Sequence, residues 1–170
     1  MLILPYNLLF SNKYKYFPIK KQIDHQYLMT YNKIKRLYRR NFMTNAVILT
    51  GHGNFASGLY SSVKMVAGDF ENIRLCEFES GKNYENLDED LISAYKDLYN
   101  YDNILILCDI AGGTPFNRAV VSLGSNENVK FVGGVNFEIL YQALTSTKKD
   151  MASYIEDVMD HGQKSIFLYK

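Results

Sequence analysis

From Ala46 to the end of the chain, apolar residues fall into two alternating patterns: short continuous runs, and stripes that recur every three or four residues. The first run, Ala46–Thr50, reads as a buried strand. It stops at Gly51-His52-Gly53, which reads as a turn, and helical periodicity starts at Phe55. Leu59, Val63 and Val66 form one stripe of a helix over 55–67, with Gly68 as its stop signal. A second strand is predicted over 73–78, then a polar loop from Glu79 to Glu85. Leu87, Leu91, Ala94, Tyr95 and Leu98 set a helix over 87–99. The third run, Asn103–Cys108, is apolar on both faces, the mark of a strand covered on both sides. A helix over 115–123 follows, with Thr114 as expected N-cap and Pro115 at the first helical position. A fourth strand is expected over 129–132. Two more helices follow, over 137–144 and 151–160, the last ended by His161-Gly162. Lys164–Tyr169 repeats a strand pattern at the C-terminus.

Alternating strands and helices imply an α/β fold: a doubly wound, mainly parallel sheet with helices on both faces. In the 2-1-3-4 strand order common to such folds, strands one and three are neighbours. The loops after them flank the switch point where ligands bind. That order brings His52 towards Asp109, 57 positions further along. The C-terminal run would add an antiparallel strand at an edge.

Charge divides the chain. Residues 1–42 carry nine Lys/Arg against the single acid Asp24, about +8. The remaining ten basic and seventeen acidic residues give −7. The basic segment alternates tyrosines with lysines and arginines and has neither helical nor strand periodicity. A nucleic-acid or membrane-surface arm is one reading of it; the favoured one is an extension with no folded role. Met43 begins a segment that reads as a whole domain, 43–170, so the natural start is expected there. No apolar run approaches the ~20 residues that span a bilayer, and Met1–Phe10 lacks the features of a secretory signal. Cys76 and Cys108 lie in predicted strands without metal-ligand spacing and read as reduced core thiols. His25 and His161 have no ligand partners at metal-binding spacing, so no metal or other cofactor is assigned. There is no P-loop motif, and Gly51-x-Gly53 is a poor dinucleotide fingerprint. Gly58 is read as a position of close helix–sheet packing.

The candidate chemistry lies at the predicted switch point. His52, between two glycines past a buried strand, is placed to present an imidazole. Asp109, at the end of another buried strand, can accept from one ring N–H, fix the tautomer and leave the other nitrogen nucleophilic. Gly112, Gly113 and Thr114 open a helix with exposed backbone N–H groups and the helix's positive end, an anion site. A nucleophilic imidazole, an orienting acid and a phosphate cradle together point to phosphoryl transfer through phosphohistidine. The competing class is a non-enzymatic, flavodoxin-like regulatory or binding module. Phe55 and Phe116 are candidates for partner docking or for the core.

Ala46-Val-Ile-Leu-Thr-Gly-His-Gly-x-Phe-Ala-x-Gly-Leu59, Asp109-Ile-Ala-Gly-Gly-Thr-Pro-Phe-Asn117 and Gly133-Gly-Val-Asn136 resemble one family: the IIA component of the mannose-type (mannose, fructose, sorbose, N-acetylgalactosamine) phosphoenolpyruvate:sugar phosphotransferase system. The resemblance spans about Thr44 to Lys170. It implies a cytoplasmic phosphotransferase in which His52, through its Nε2, accepts a phosphoryl group from the histidine phosphocarrier protein. The group then passes to a histidine of a IIB component, and onward to a sugar entering through membrane IIC/IID components. It further implies Asp109 beside the active histidine, Gly113 and Thr114 around the phosphoryl oxygens, and a homodimer that exchanges the final strand, here Ser165–Tyr169. No nucleic acid is implied as partner. The polar Ser80–Asn86 loop points to an amino-sugar or related subclass. A variant of the domain serves dihydroxyacetone kinase systems, which is the alternative within the same chemistry. The family has no counterpart of the basic arm.

Overall fold

The computed structural model describes Thr30 and residues 44–169. The basic arm and the expected start at Met43 otherwise lie outside the described residues. Of two compact units, Met1–Lys35 and Arg36–Lys170, the second carries every element named below. Its strands are β1 (Asn45–His52), β2 (Ile73–Phe78), β3 (Asn103–Cys108) and β4 (Val129–Gly133). Its helices are α1 (Phe55–Ala67), α2 (Tyr84–Leu98), α3 (Thr114–Leu123), α4 (Phe137–Thr145) and α5 (Met151–Lys164).

All strand pairs are parallel, in the order β2-β1-β3-β4, as expected from the alternation of elements. Strand residues alternate between two cores. Val47, Leu49, Leu105, Leu107 and Val132 pack against α1, α4 and α5, around Val63, Leu140, Tyr154 and Val158. Ala46, Ile48, Ile104, Ile106 and Cys108 face the other way, against Leu87, Leu91 and Leu98 of α2 and Ala119 and Leu123 of α3. A sheet buried on both faces needs such near-continuous apolar strands, because each successive side chain enters a core.

Polar groups close the N-terminal end of the sheet. The buried Asn45 donates to the carbonyls of Ser146 and Lys148. Asn103 donates to Asn45 and to the Lys149 carbonyl, and Asn72 to the carbonyls of Asn45 and Leu144. Three short side-chain amides thereby pin the α4–α5 connection under the strands. With that end closed by side chains, the opposite end, where strands give way to helices, is left for chemistry.

Several boundaries differ from the sequence expectation. β1 runs on through Gly51 and His52, paired in register with Glu77 and Phe78, so His52 is a strand residue and not part of a free turn. α2 starts at Tyr84 because the Asn83 side chain accepts from Asn86 N–H at 2.9 Å, a cap placed ahead of the first apolar repeat. α3 begins at Thr114 itself: Gly113 occupies the N-cap position and no side chain caps it, which corrects the assignment of Thr114. α5 continues past His161-Gly162 to Lys164. Gly162 is there for proximity: a Cβ on it would stand 2.0 Å from Ile139 Cγ1 of α4. Gly58 is not crowded on its side-chain face, since nothing lies within 4 Å of a Cβ built on it, which overturns the packing role read for it.

The expected C-terminal antiparallel edge strand is not seen. Residues 166–169 have no strand assignment, and their four side chains are 79–88% exposed. A strand has no hydrogen bonds of its own, so this apolar run stays irregular until an edge pairs with it.

Candidate functional site

Two strand ends build the site. β1 and β3 are neighbours, with Thr50 opposite Cys108. The chain therefore leaves them side by side, at His52 and Asp109. One carboxylate oxygen, Asp109 Oδ2, accepts from the His52 backbone N–H at 2.9 Å and from the His52 ring Nδ1–H at 2.7 Å. Oδ1 accepts from the Ile110 N–H at 2.8 Å. A carboxylate oxygen only accepts, so in the neutral ring the proton sits on Nδ1 and Nε2 has the lone pair. The His52 side chain is 43% exposed and that of Asp109 only 11%: the ring is presented while its anchor is covered. Burial pushes the Asp109 carboxyl upward, but the His52 backbone N–H, the His52 ring and the Ile110 N–H together outweigh it. The group is held below its ordinary range. The carboxylate is thus ionised wherever the protein is folded near neutral pH.

The loop after Asp109 wraps the ring. His52 Cε1, the carbon bonded to Nε2, lies 3.1 Å from where a Cβ on Gly113 would stand. A side chain at 113 would crowd the imidazole, which would have to give by a few tenths of an ångström. Gly112 has φ +77°, a left-handed turn that reverses the chain into the helix. Asn117 Nδ2 donates to the Gly112 carbonyl at 2.7 Å and its backbone N–H to the Gly113 carbonyl at 2.9 Å, so the loop is tied to its own helix. Pro115 has no N–H and the Gly113 N–H donates to the Ile110 carbonyl at 3.3 Å, so with no capping side chain the Thr114 and Phe116 N–H groups are the first-turn donors left for an anion. The structure thus brings His52, Asp109 and Gly113 into contact, with Gly112 and Thr114 flanking Gly113 in the same loop and helix start.

Other neighbours of the ring escaped the sequence reading. Phe78, opposite His52 in register, meets it edge-on with centroids 6.1 Å apart. Phe78 stacks on the exposed Tyr84 at 6.0 Å, and the Arg118 guanidinium lies 5.9 Å over Tyr84 while pairing with Asp88. Register alone points to Phe78, as the last residue of the strand beside β1. Nothing local marks Tyr84 or Arg118, which come from two different helices. At the start of α1, Asn54 makes no cap bond; Glu77 Oε1 of β2 accepts from Ser57 N–H at 2.7 Å instead.

Remaining candidates fall elsewhere. Phe55 and Phe116 are half-buried, each packed against a different core. His161 bonds through Nδ1 to the Asp157 carbonyl at 2.8 Å, on the surface of α5; His25 lies outside the described residues. Cys76 and Cys108 are free and buried, and burial pushes both thiols up to about 12. Among the described residues no three His, Cys, Asp or Glu side chains cluster as a metal site. No described helix is long and apolar enough to cross a membrane.

Sheet order, helix layers and a histidine–carboxylate pair at the strand ends define a doubly wound α/β domain with its site at the switch point. Residues 46–160 match the family described as "PTS system fructose IIA component", where PTS is the phosphotransferase system, and the chain belongs to that family. It is 34% identical over 100 residues to the fructose-specific EIIA component of Bacillus subtilis, covering 59% of this chain and 68% of that protein. To the mannose-specific EIIAB component of Escherichia coli K12 it is 32% identical over 108 residues, 64% of this chain but only 33% of the relative. The chain thus matches about a third of that longer protein. Among solved structures, the mannose/sorbose IIA subunit from Enterococcus faecalis shares the fold: TM-score 0.68, 23% identity, 75% of this chain and 96% of that one. The EIIA component from Streptococcus agalactiae aligns with TM-score 0.63 at 25% identity, over 72% and 95% of the two chains.

Proposed function

We propose that this IIA component is a phosphocarrier of a bacterial sugar phosphotransferase system, with Nε2 of His52 as the atom that bears the phosphoryl group. The observation that carries the reading is the 2.7 Å bond from the His52 Nδ1–H to Asp109, with the ring 43% exposed and its Cε1 next to Gly113 at the start of α3. The Nε2 lone pair forms a P–N bond as the P–N bond to the donor imidazole of the histidine phosphocarrier protein breaks. The departing electron pair returns to the donor's ring nitrogen. The His52 ring keeps its Nδ1 proton and becomes cationic, and Asp109 balances that charge. Gly112, Gly113 and Thr114, with the first-turn N–H groups of α3, receive the phosphoryl oxygens. The same step in reverse passes the group to a imidazole of a IIB component, in the cytoplasm. Imidazole gives to imidazole, so alignment and anion stabilisation are what the protein must supply, and the reading assigns no cofactor. The apolar, exposed 166–169 tail supports a homodimer that exchanges this segment as an edge strand.

The test is a relay of phosphoenolpyruvate, the general phosphotransferase proteins and this chain. Acid-labile phosphate is expected on the wild type and none on His52→Ala, which keeps its circular dichroism spectrum. Label on His161 or His25, or no label on the folded wild type, refutes the reading. Light-scattering mass of the full chain against one truncated after Ser165 tests the dimer; equal monomer masses refute it.

A further inference from the structure

The Gly133-Gly134 turn at the end of β4 has no place in the site described so far, yet it is packed against the loop that carries Asp109. A Cβ on Gly133 would stand 2.5 Å from Ala111 Cα and 2.6 Å from both its N and Cβ. Real Cβ contacts of that length with backbone do not occur, so any side chain at 133 must displace the loop. The backbone at 133 is not left-handed, so conformation would admit another residue; space does not. The turn also grips the loop through hydrogen bonds. Gly134 N–H donates to the Cys108 carbonyl at 3.0 Å and to the Asp109 carbonyl at 3.1 Å, and Val135 N–H to Cys108 at 3.2 Å. Register continues the contact, since Gly133 pairs with Cys108, the residue before Asp109. Main chain from β4 therefore fixes main chain on both sides of Asp109.

We infer that Gly133 is a positioning residue of the site: through Ala111 it sets the Asp109 loop, and through Asp109 it sets which nitrogen of His52 is free. The argument runs from contact to chemistry. Asp109 Oδ2 meets two donors at 2.9 and 2.7 Å, and hydrogen bonds at these lengths weaken steeply with displacement and bending. A loop pushed by several tenths of an ångström at Ala111, two residues from Asp109, loosens the ring bond first. The backbone bond to His52 has β1 pairing behind it, whereas the imidazole is held only by side-chain contacts.

The inference rests on the phosphohistidine reading for its kinetic arm and not for its spectroscopic one. Gly133→Ala is compared with wild type by two measurements: transfer from the phosphorylated histidine phosphocarrier protein, and nitrogen-detected NMR of the His52 ring. The expected result is a kcat at least tenfold lower with KM unchanged, and a ring no longer held as one Nδ1–H tautomer. Ala111→Val, which presses the same contact from the exposed side, is expected to act alike, and serves where Gly133→Ala does not fold. A raised KM with unchanged kcat and ring signals would make the turn part of a docking surface and overturn the inference. So would a folded Gly133→Ala with wild-type transfer and ring signals, or an unfolded Gly133→Ala beside a wild-type Ala111→Val. If wild type fails to transfer at all, the phosphocarrier reading falls, while the ring signals still decide whether Gly133 sets the tautomer.

Discussion

Asp109→Asn tests the site with the smallest change of shape. Asp109 uses both oxygens as acceptors, Oδ2 for two His52 donors and Oδ1 for Ile110 N–H. An asparagine has one acceptor, so one side must now face a donor with a donor. If its NH2 turns to Ile110, the His52 bonds persist but lose their charge, and the exposed Ile110 N–H loses its protein partner. If the NH2 turns to His52, Nδ1 must accept, the proton moves to Nε2 and the nucleophile disappears. A wrong tautomer at a comparable histidine–carboxylate pair costs on the order of 10⁴ in rate. The first orientation keeps the tautomer and forfeits the charge that balances the cationic ring, about 10²-fold for a lost charge-stabilising group. Single-turnover phosphorylation from the labelled phosphocarrier protein is therefore expected to fall between about 10²- and 10⁴-fold. A Asp109→Asn protein that is folded and transfers within about threefold of wild type would refute the reasoning, since a threefold loss is only about 0.7 kcal/mol.

Four further outcomes follow from the structure. The Asp109 carboxyl is lowered on folding, so its stabilisation is present above its unfolded value of about 4 and is lost as pH falls through the lower folded value; urea melts should show the gap between wild type and Asp109→Asn closing below about pH 4. Gly58 is exposed in the interior of α1 with free space around it, so Gly58→Ala should raise the unfolding free energy by about 0.5–1 kcal/mol, read from the shift in urea midpoint. Thr50 Oγ1 is buried between Cys76 and Cys108 in register, without a hydrogen-bond partner; Thr50→Val removes the orphaned hydroxyl at constant shape and should be neutral or stabilise by about 1 kcal/mol. Cys76 and Cys108 should resist iodoacetamide at pH 8 in the native protein and react in urea, because burial holds both thiols protonated; native labelling as fast as unfolded labelling would contradict that.

The repeating apolar runs made the layer order readable, because strands buried on both faces leave a signal distinct from amphipathic helices. The meeting of His52 and Asp109 follows from the strand order, since they lie at the ends of two neighbouring strands. What was not readable depends on contacts between distant segments. Gly162 looked like a helix stop, and the neighbour that explains it, Ile139, belongs to another helix. Thr114 reads as a cap because Ser and Thr favour that role; in the structure the helix already includes Thr114 and Gly113 takes the cap position. The strand pattern at 166–169 is real as composition, but strand formation needs an edge, and no pattern within a segment records its partner. Phe78 needed only the β1–β2 register, whereas Tyr84 and Arg118 needed the packing of α2 on α3.

On the proposed phosphocarrier reading, the placement of the carboxylate bears on why one largely covered acid serves the site. A carrier must release what it accepts, so stabilising the loaded form strongly would trap it; only interactions that favour the transition state over both end states speed the passage. Asp109 Oδ2 divides its acceptance between the His52 backbone and its ring. The backbone share is spent on holding the end of β1 whether or not the ring is loaded. In the proposed cycle the ring share would grow as the imidazole becomes cationic and relax when the group leaves. The proposed loading at Nε2 would leave the Nδ1 bond and the strand pairing in place, so neither direction of transfer would require refolding around the site. A second buried acid on the ring would deepen the loaded state and slow departure; a ring without Asp109 would lose the tautomer.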